Sequence, residues 1–338
     1  MSEEQPKKVV FEISITSVLK IILVFAAIWV LFLVRDILLI LLVVLLITVA
    51  LEPYVTKLEQ EKIPRALSVI VLYLALLVVL GLLLYFVIPP VANQVKELAL
   101  NFPYYTSRLS DFNIGDFAPI SGFLSSISSR LSDVAGGVLG ALISVFGGIV
   151  FAITIFALTF YALVDGENIK KSLINIIPTD KKERLRATIA KVSEKLSDWM
   201  RGQLLLMLII GVVDGSILAI MGIKYALTLG LLAGLFEIIP VLGPILSAIA
   251  AALVAFILGA PLWKIGIILA AYIVVQQLEG NILVPKIMQK AIGMSPIVVI
   301  IAILIGNKLL GLGGALLAVP VAAGIQVFVK EYFPFGKS

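Results

Sequence analysis

Apolar residues run along this chain in long blocks, with the polar residues gathered between them. From Ile21 to Leu51 the only charges are Arg35 and Asp36. As one helix those 31 residues would measure about 46 Å at ~1.5 Å per residue, against a hydrocarbon core of about 30 Å. The pattern therefore predicts two short helices that turn at the charged pair. A polar stretch follows from Glu52 to Arg65. Ala66 to Ile88 is an uninterrupted span that Pro89–Pro90 is expected to stop, because prolines cannot continue the helical hydrogen-bond ladder. No small-residue cleavage site ends the first block, so it is expected to remain as an anchor behind a polar tail, residues 1–17.

Residues 91–137 differ in kind, being rich in Ser, Asn, Gly and aromatics, and read as a water-exposed or interfacial insert. The next span, 138–164, begins with Gly140, Ala141, Gly147 and Gly148, which allow close helix packing in lipid. Asp165-Gly-Glu167 reads as a span end and turn. Residues 165–201 hold nine Lys or Arg. Asp180 and Glu183 have capping-box spacing, and Leu185, Ile189, Val192, Leu196 and Trp199 recur every three or four positions. This predicts an amphipathic helix on the membrane surface; a solvated helix packed on the protein's own cytosolic side fits the same pattern.

Gln203 to Ile223 is a span that contains Asp214. Two longer blocks, Ala226–Leu258 and Met294–Val329, would each be about 50 Å or more as straight helices. Each is interrupted near its middle, by Pro240-Val-Leu-Gly-Pro244 and by Gly311-Leu-Gly-Gly314. A helical hairpin that dips into the membrane and returns fits both length and break. Between them, Ile265 to Pro285 reaches spanning length only by taking Gln276, Gln277, Glu279 and Asn281 into the bilayer. A shift of 71 residues aligns Gly222 with Gly293, Glu237 with Lys308, Gly243 with Gly314, and Ala251–Ala252 with Ala322–Ala323. The C-terminal half thus reads as two span–hairpin units, and a unit crossing an odd number of times must have its second copy inverted.

Composition narrows the function. The 338 residues are 61% hydrophobic and 14% charged, against about 25% charged in soluble domains. The fold class is therefore an all-α polytopic membrane protein, with six full spans and two re-entrant hairpins. The chain has no Cys and no His, which excludes disulfides, thiol chemistry, His/Cys metal ligation and Ser–His or Cys–His catalysis. No phosphate loop, paired catalytic Asp motif or metal spacing appears, so no enzyme, cofactor or nucleic-acid partner is expected. The net charge is +5, and the nine cations of 165–201 place that segment in the cytoplasm and the insert outside. Both termini are then cytoplasmic, in a plasma-membrane protein whose other partner is lipid.

Asp214, Glu237, Glu279 and Lys308 lie inside apolar segments, at about 2.5–3.5 kcal/mol each on the insertion scale. Three acids and one base cannot all pair, so at least one carboxyl must be neutral, solvated or bound to a cation. Glu237 stands three residues before a broken helix, where free carbonyls can hold a cation; a salt bridge to Lys308 across the two hairpins is its other role. Tyr272, Gln276, Glu279 and Leu283 share a helix face, with Gln277 and Asn281 on the adjoining stripe. These polar groups suit a groove for a small hydroxylated solute or a dehydrated cation, and equally suit hydrogen bonding between helices. Lys308 with Asn307 completes the candidate set. Asp214 ranks lower, since pairing with an interfacial cation would also account for it. Pro240, Gly243, Pro244, Gly311, Gly313 and Gly314 are expected at hairpin tips, where they can gate.

Several motifs resemble the AI-2E family of membrane transporters. They are Leu51-Glu-Pro-Tyr-Val-Thr-Lys-Leu-Glu59 with Ile63-Pro-Arg65, Gly222-Ile-Lys-Tyr-Ala-Leu227, and Leu235-Phe-Glu-Ile-Ile-Pro-Val-Leu-Gly-Pro244. Gln276-Gln-Leu-Glu-Gly-Asn281 with Pro285, Ile305-Gly-Asn-Lys-Leu-Leu-Gly311 and Ala318-Val-Pro320 complete the set, which covers essentially the whole chain. The resemblance implies a homo-oligomer, a pentamer in the family, in which a moving unit carries solute against a fixed scaffold. It also implies functional roles for Glu237, Glu279, Asn281, Asn307 and Lys308. Some members are similar to exporters of autoinducer-2, others to sodium/proton antiporters. The expectation is a secondary transporter exporting a small polar solute on an ion gradient, Na⁺ or H⁺, with residues 202–329 as transport domain, 18–90 and 138–164 as scaffold, and 330–338 as a tail. A Na⁺(K⁺, Li⁺)/H⁺ antiporter and a non-transporting membrane scaffold are the alternatives.

Overall fold

A computed structural model describes residues 15–110, 138–175, 182–288 and 293–333. The tail before residue 15, most of the insert, Asp180 and the last five residues lie outside the described residues. All regular structure among the described residues is helical.

Helix α1 (Ile15–Leu33) and α2 (Arg35–Gln60) part at Val34, as the charged pair suggested. The expected turn is absent, however. Val34 donates its N–H to the Val30 carbonyl, and Leu38 donates to that of Val34, so the ladder passes through with a local distortion. Helix α2 also continues through Pro53 into the polar stretch. Helix α3 (Arg65–Ser110) does not stop at Pro89–Pro90. Pro90 has no N–H for the Phe86 carbonyl, and the buried Thr228 hydroxyl supplies one instead, at 3.3 Å. That tertiary bond offsets part of the cost which makes a proline pair a poor helix interior.

Helix α4 (Val138–Val164) ends at Asp165 and turns by 77° into α5 (Gly166–Asn175), as the Asp-Gly-Glu sequence predicts. Helix α6 (Lys182–Ile220) is one 39-residue rod, so the basic segment and the following span share an axis and no boundary falls at 201–202. Its expected apolar stripe is present: Leu196 and Trp199 are buried, and Val192 packs beside them. The stripe faces α2 and the last helix of the chain, which is the packed alternative and not a helix laid flat on lipid.

Helices α7 (Ala226–Phe236) and α8 (Leu242–Ile257) pack against each other across a tip at Glu237–Val241, where Val241 takes a φ of 72°. Helix α9 (Leu262–Leu278) passes into a π-helical turn (Glu279–Leu283) and then α10 (Val284–Met288). Pro285 lacks the N–H that would close an α-turn on Asn281, and the local ladder widens, with Val284 N–H reaching Glu279 O. Helix α11 (Pro296–Tyr332) breaks at Leu310–Gly311, where Gly311 has a φ of 62° and ψ of −147°. A Cβ on either Gly306 or Gly314 would run into the other's carbonyl oxygen. Eight residues of straight helix would hold those backbones about 12 Å apart, so the chain doubles back at Gly311 and α11 is a helical hairpin.

The two units proposed from the 71-residue shift share a construction. Each has a long helix, a glycine of positive φ (Gly222 at 66°, Gly293 at 52°), and a paired-helix segment. In the second arm of each, a glycine lies against the first arm's backbone: Gly243 on Phe236 and Gly314 on Gly306. Helices α6 and α7 are joined the same way. Gly211 and Gly215 of one face Gly230 and Gly234 of the other, and a Cβ on Gly230 would stand 2.6 Å from the Gly215 Cα.

Charged residues collect at one end of the bundle. Arg65 donates through Nη2 to Glu52 at 2.8 Å, through Nη1 to Glu59 at 3.0 Å, and through Nε to the Leu163 carbonyl at 2.6 Å. It thereby ties α2, α3 and α4 together. At the same end, Lys191 pairs with Glu331 at 2.6 Å, linking the start of α6 to the end of α11. Among the described residues, five helices are long and apolar enough to cross a membrane, or six if the bent 151–172 pair counts as one span.

Candidate functional site

Glu237 is the first residue after α7, and the break that follows it leaves its backbone short of helical partners. Gln203 of α6 donates its Nε2 to the Glu237 carbonyl at 2.6 Å, so the tip is pinned to the start of the apolar half of α6. The side chain is 1% exposed. Glu279, at the head of the π-turn, is 5% exposed. The two carboxyl groups come within hydrogen-bond contact of each other, and Asp214 lies close enough to feel the Glu279 charge and to add its own at Glu237. Two carboxylates cannot meet in a dry interior without a proton or a cation between them.

Among the described residues no lysine or arginine forms an ion pair with the group. Glu237 Oε2, Glu279 Oε2, Asp214 Oδ1 and Tyr272 OH are buried without a hydrogen-bond partner. Such atoms are rare in a finished core and concentrate where a ligand or mobile proton belongs. Among the described residues no three acidic side chains are placed to hold a metal ion. A cavity of about 500 Å³ opens beside the pair, lined by Gln203, Glu237, Pro240, Gln276, Glu279 and the apolar Met288. Its walls come from the tip, the π-turn, α10 and the connection at Gly293–Met294, where Gly293 lies beside Lys195 of the basic segment.

Glu237, Glu279, Gln276 and Pro240 are thus brought together around one cavity. Gln277 and Asn281 are exposed on the adjoining stripe, where Asn281 Nδ2 donates to the Gln277 carbonyl at 2.8 Å. Asn307 and Lys308 are exposed on the first arm of the α11 hairpin, and the described ion pairs include no bridge from Lys308 to Glu237. Gly243 and Gly314 are buried inside their hairpins and Gly311 forms the second reversal, while Gly313 packs on Leu39 of α2. Pro244 accepts from the Ser247 hydroxyl at 3.0 Å. Asp214, 2% exposed, sits in the interior, and among the described residues no ion pair includes it. Gln203 reads from sequence only as the edge of a span; its signal is a lone amide opening a stripe of buried residues, Leu206, Ile210, Asp214 and Leu218.

Residues 19–333 match the family described as AI-2E family transporter. The chain is 29% identical over 303 residues to "Putative transport protein YrrI" of Bacillus subtilis, covering 86% of this chain and 85% of that one. It is 30% identical over 292 residues to "Putative transport protein YueF" of the same organism, covering 81% and 78%. To "AI-2 transport protein TqsA" of Escherichia coli it is 23% identical over 298 residues, covering 85% and 83%. A match over nearly the whole chain, on a helical bundle with buried carboxyls at a broken helix, places the protein in the AI-2E transporter family.

Proposed function

We propose that this protein is an ion-coupled secondary transporter that exports a small polar solute, with Glu237 and Glu279 as the ion-binding pair. The observation that carries the reading is the meeting of two buried carboxyls, each keeping one oxygen without a partner, at a helix break beside a cavity of about 500 Å³. Such a pair is stable when a proton or monovalent cation sits in it and unstable when empty, so loading and unloading can be tied to movement of the surrounding hairpin. The polar lining offers amide donors and acceptors to a hydroxylated solute. One relative's name mentions AI-2, which makes autoinducer-2 the first solute to try.

In this reading the charged end of the bundle is cytoplasmic, by the excess of Lys and Arg on α5 and α6. The α7–α8 hairpin then enters from outside and the α11 hairpin from inside, as two inverted units. The cavity opens inward. A Na⁺(K⁺, Li⁺)/H⁺ antiporter uses the same pair, and the carbonyls freed at the tip favour it as the second reading.

The test uses purified protein in liposomes with an internal pH dye and an imposed proton gradient. Na⁺, K⁺, Li⁺ and autoinducer-2 are added in turn, with Glu237→Gln beside the native chain. A saturable proton response to autoinducer-2 alone, lost in the variant, supports export; the same response to a cation selects the antiporter. Flux that survives Glu237→Gln and Glu279→Gln unchanged rules the pair out as the coupling site.

A further inference from the structure

The acidic pair accounts for two of the three carboxyls buried among the described residues. Asp214 is left over, on α6, 2% exposed and with Oδ1 unpartnered. It follows Gln203 on the same buried stripe, 11 residues further from the charged end, or about 16 Å along the helix. Across from it on α9 is Tyr272, 5% exposed, whose hydroxyl also lacks a partner and feels the Asp214 charge. Tyr272 precedes Glu279 by seven residues, about two turns. Both residues therefore lie on the side of the acidic pair away from the cavity. Neither lines the cavity.

We infer that Asp214 and Tyr272 form an inner proton-binding station that exchanges protons with the Glu237–Glu279 pair and carries them toward the far end of the bundle, apart from the solute's path. The inference rests on the ion-coupled reading above. The groups facing Asp214 are few. Glu279 and Tyr272 come from the α9 side and Glu237 from the tip, while α7 and α8 contain no titratable side chain. On α9 the lysine, Lys264, stands about two turns before Tyr272, toward the helix start. No cation on these elements is therefore placed to hold Asp214 permanently ionised. A buried tyrosine hydroxyl with no acceptor of its own is a donor waiting for one, and the Asp214 carboxylate is the candidate facing it. In the transfer, the O–H bond of protonated Glu279 breaks and one forms on Asp214 Oδ1, the proton passing through bridging water, with the Tyr272 hydroxyl donating to the Asp214 carboxylate until the proton arrives. The total charge of the cluster is unchanged, so the step avoids creating a second bare carboxylate in the interior.

Infrared difference spectra of the purified full chain, recorded between acid and alkaline pH, read the protonated-carboxyl stretch without requiring a known solute. Asp214→Asn should remove one component of that band, distinct from the component removed by Glu237→Gln. Tyr272→Phe should shift the Asp214 component without removing it, an effect that a purely structural tyrosine would not give. In pH-dye liposomes the Asp214→Asn response should fall at least tenfold, with a normal unfolding temperature as the control for folding. Should Asp214→Asn misfold, the Tyr272→Phe shift decides the matter alone. A response lost in Glu237→Gln but unchanged in folded Asp214→Asn overturns the relay and leaves the transporter reading standing. A response indifferent to both overturns both.

Discussion

Thr228 and Arg65 show how single side chains settle what local sequence leaves open. A proline pair in mid-span reads as a stop, yet α3 continues because a hydroxyl 142 positions away caps the orphaned Phe86 carbonyl. Thr228→Val keeps the shape and removes the donor. The expected loss is roughly 1–2 kcal/mol, measured as a lowered unfolding temperature in detergent, whereas Thr228→Ser should keep most of the stability. An unchanged temperature in the valine variant would mean that the bond carries no weight. The acidic pair was legible beforehand because ionisable residues in apolar blocks are conspicuous. That Lys308 would leave Glu237 alone was not legible, because both sit in matching positions of the repeat and only the packing of the hairpins decides whether they face each other.

At the scale of elements, apolar block length foretold the two broken segments, and Pro240 and Gly311 foretold where they break. What block length could not foretell was continuity. Nothing between Lys182 and Ile220 forbids helix, so α6 ignores the change from basic to apolar composition that suggested a boundary. The glycines facing each other between α6 and α7 also set a mechanical condition. With backbone against backbone and no side chain between them, α7 and α6 have little room to slide and are expected to move as one body. Gly230→Ala places a methyl 2.6 Å from the Gly215 Cα, which should cost roughly 1–3 kcal/mol by overpacking and reduce transport. Gly81→Ala is the control: no atom stands within 4 Å of its Cβ, so it should be neutral or raise stability by roughly 0.5–1 kcal/mol. Equal unfolding temperatures for the two variants would remove the tight contact from consideration.

Taken whole, the buried acids lie between two of the apolar clusters that the described residues form. Along α6, Leu196, Trp199 and Leu206 belong to one cluster and Leu218 to the other, with Asp214 between. Along α9 and its continuation, Ile268 and Tyr272 belong to the second cluster and Met288 to the first, with Glu279 between. The second cluster, which includes Ala226, Ala251 and Ala255, closes the end of the bundle away from the cavity. Leu218, fully buried there, is the place to test the closure. Leu218→Ala should destabilise by roughly 2–5 kcal/mol, and unenergised liposomes carrying it should lose an imposed pH difference faster than those with the native protein. A pH difference held as long as with the native chain would move the closure elsewhere. The wider consequence concerns the idle carrier. On the proton-coupled reading, a membrane studded with it and offered no cargo would discharge its proton-motive force only as fast as water wets that apolar plug. On that reading the standing drain on the membrane's proton gradient would be governed by Leu218 and its apolar neighbours, and the acids would set only what is gained when the carrier turns over.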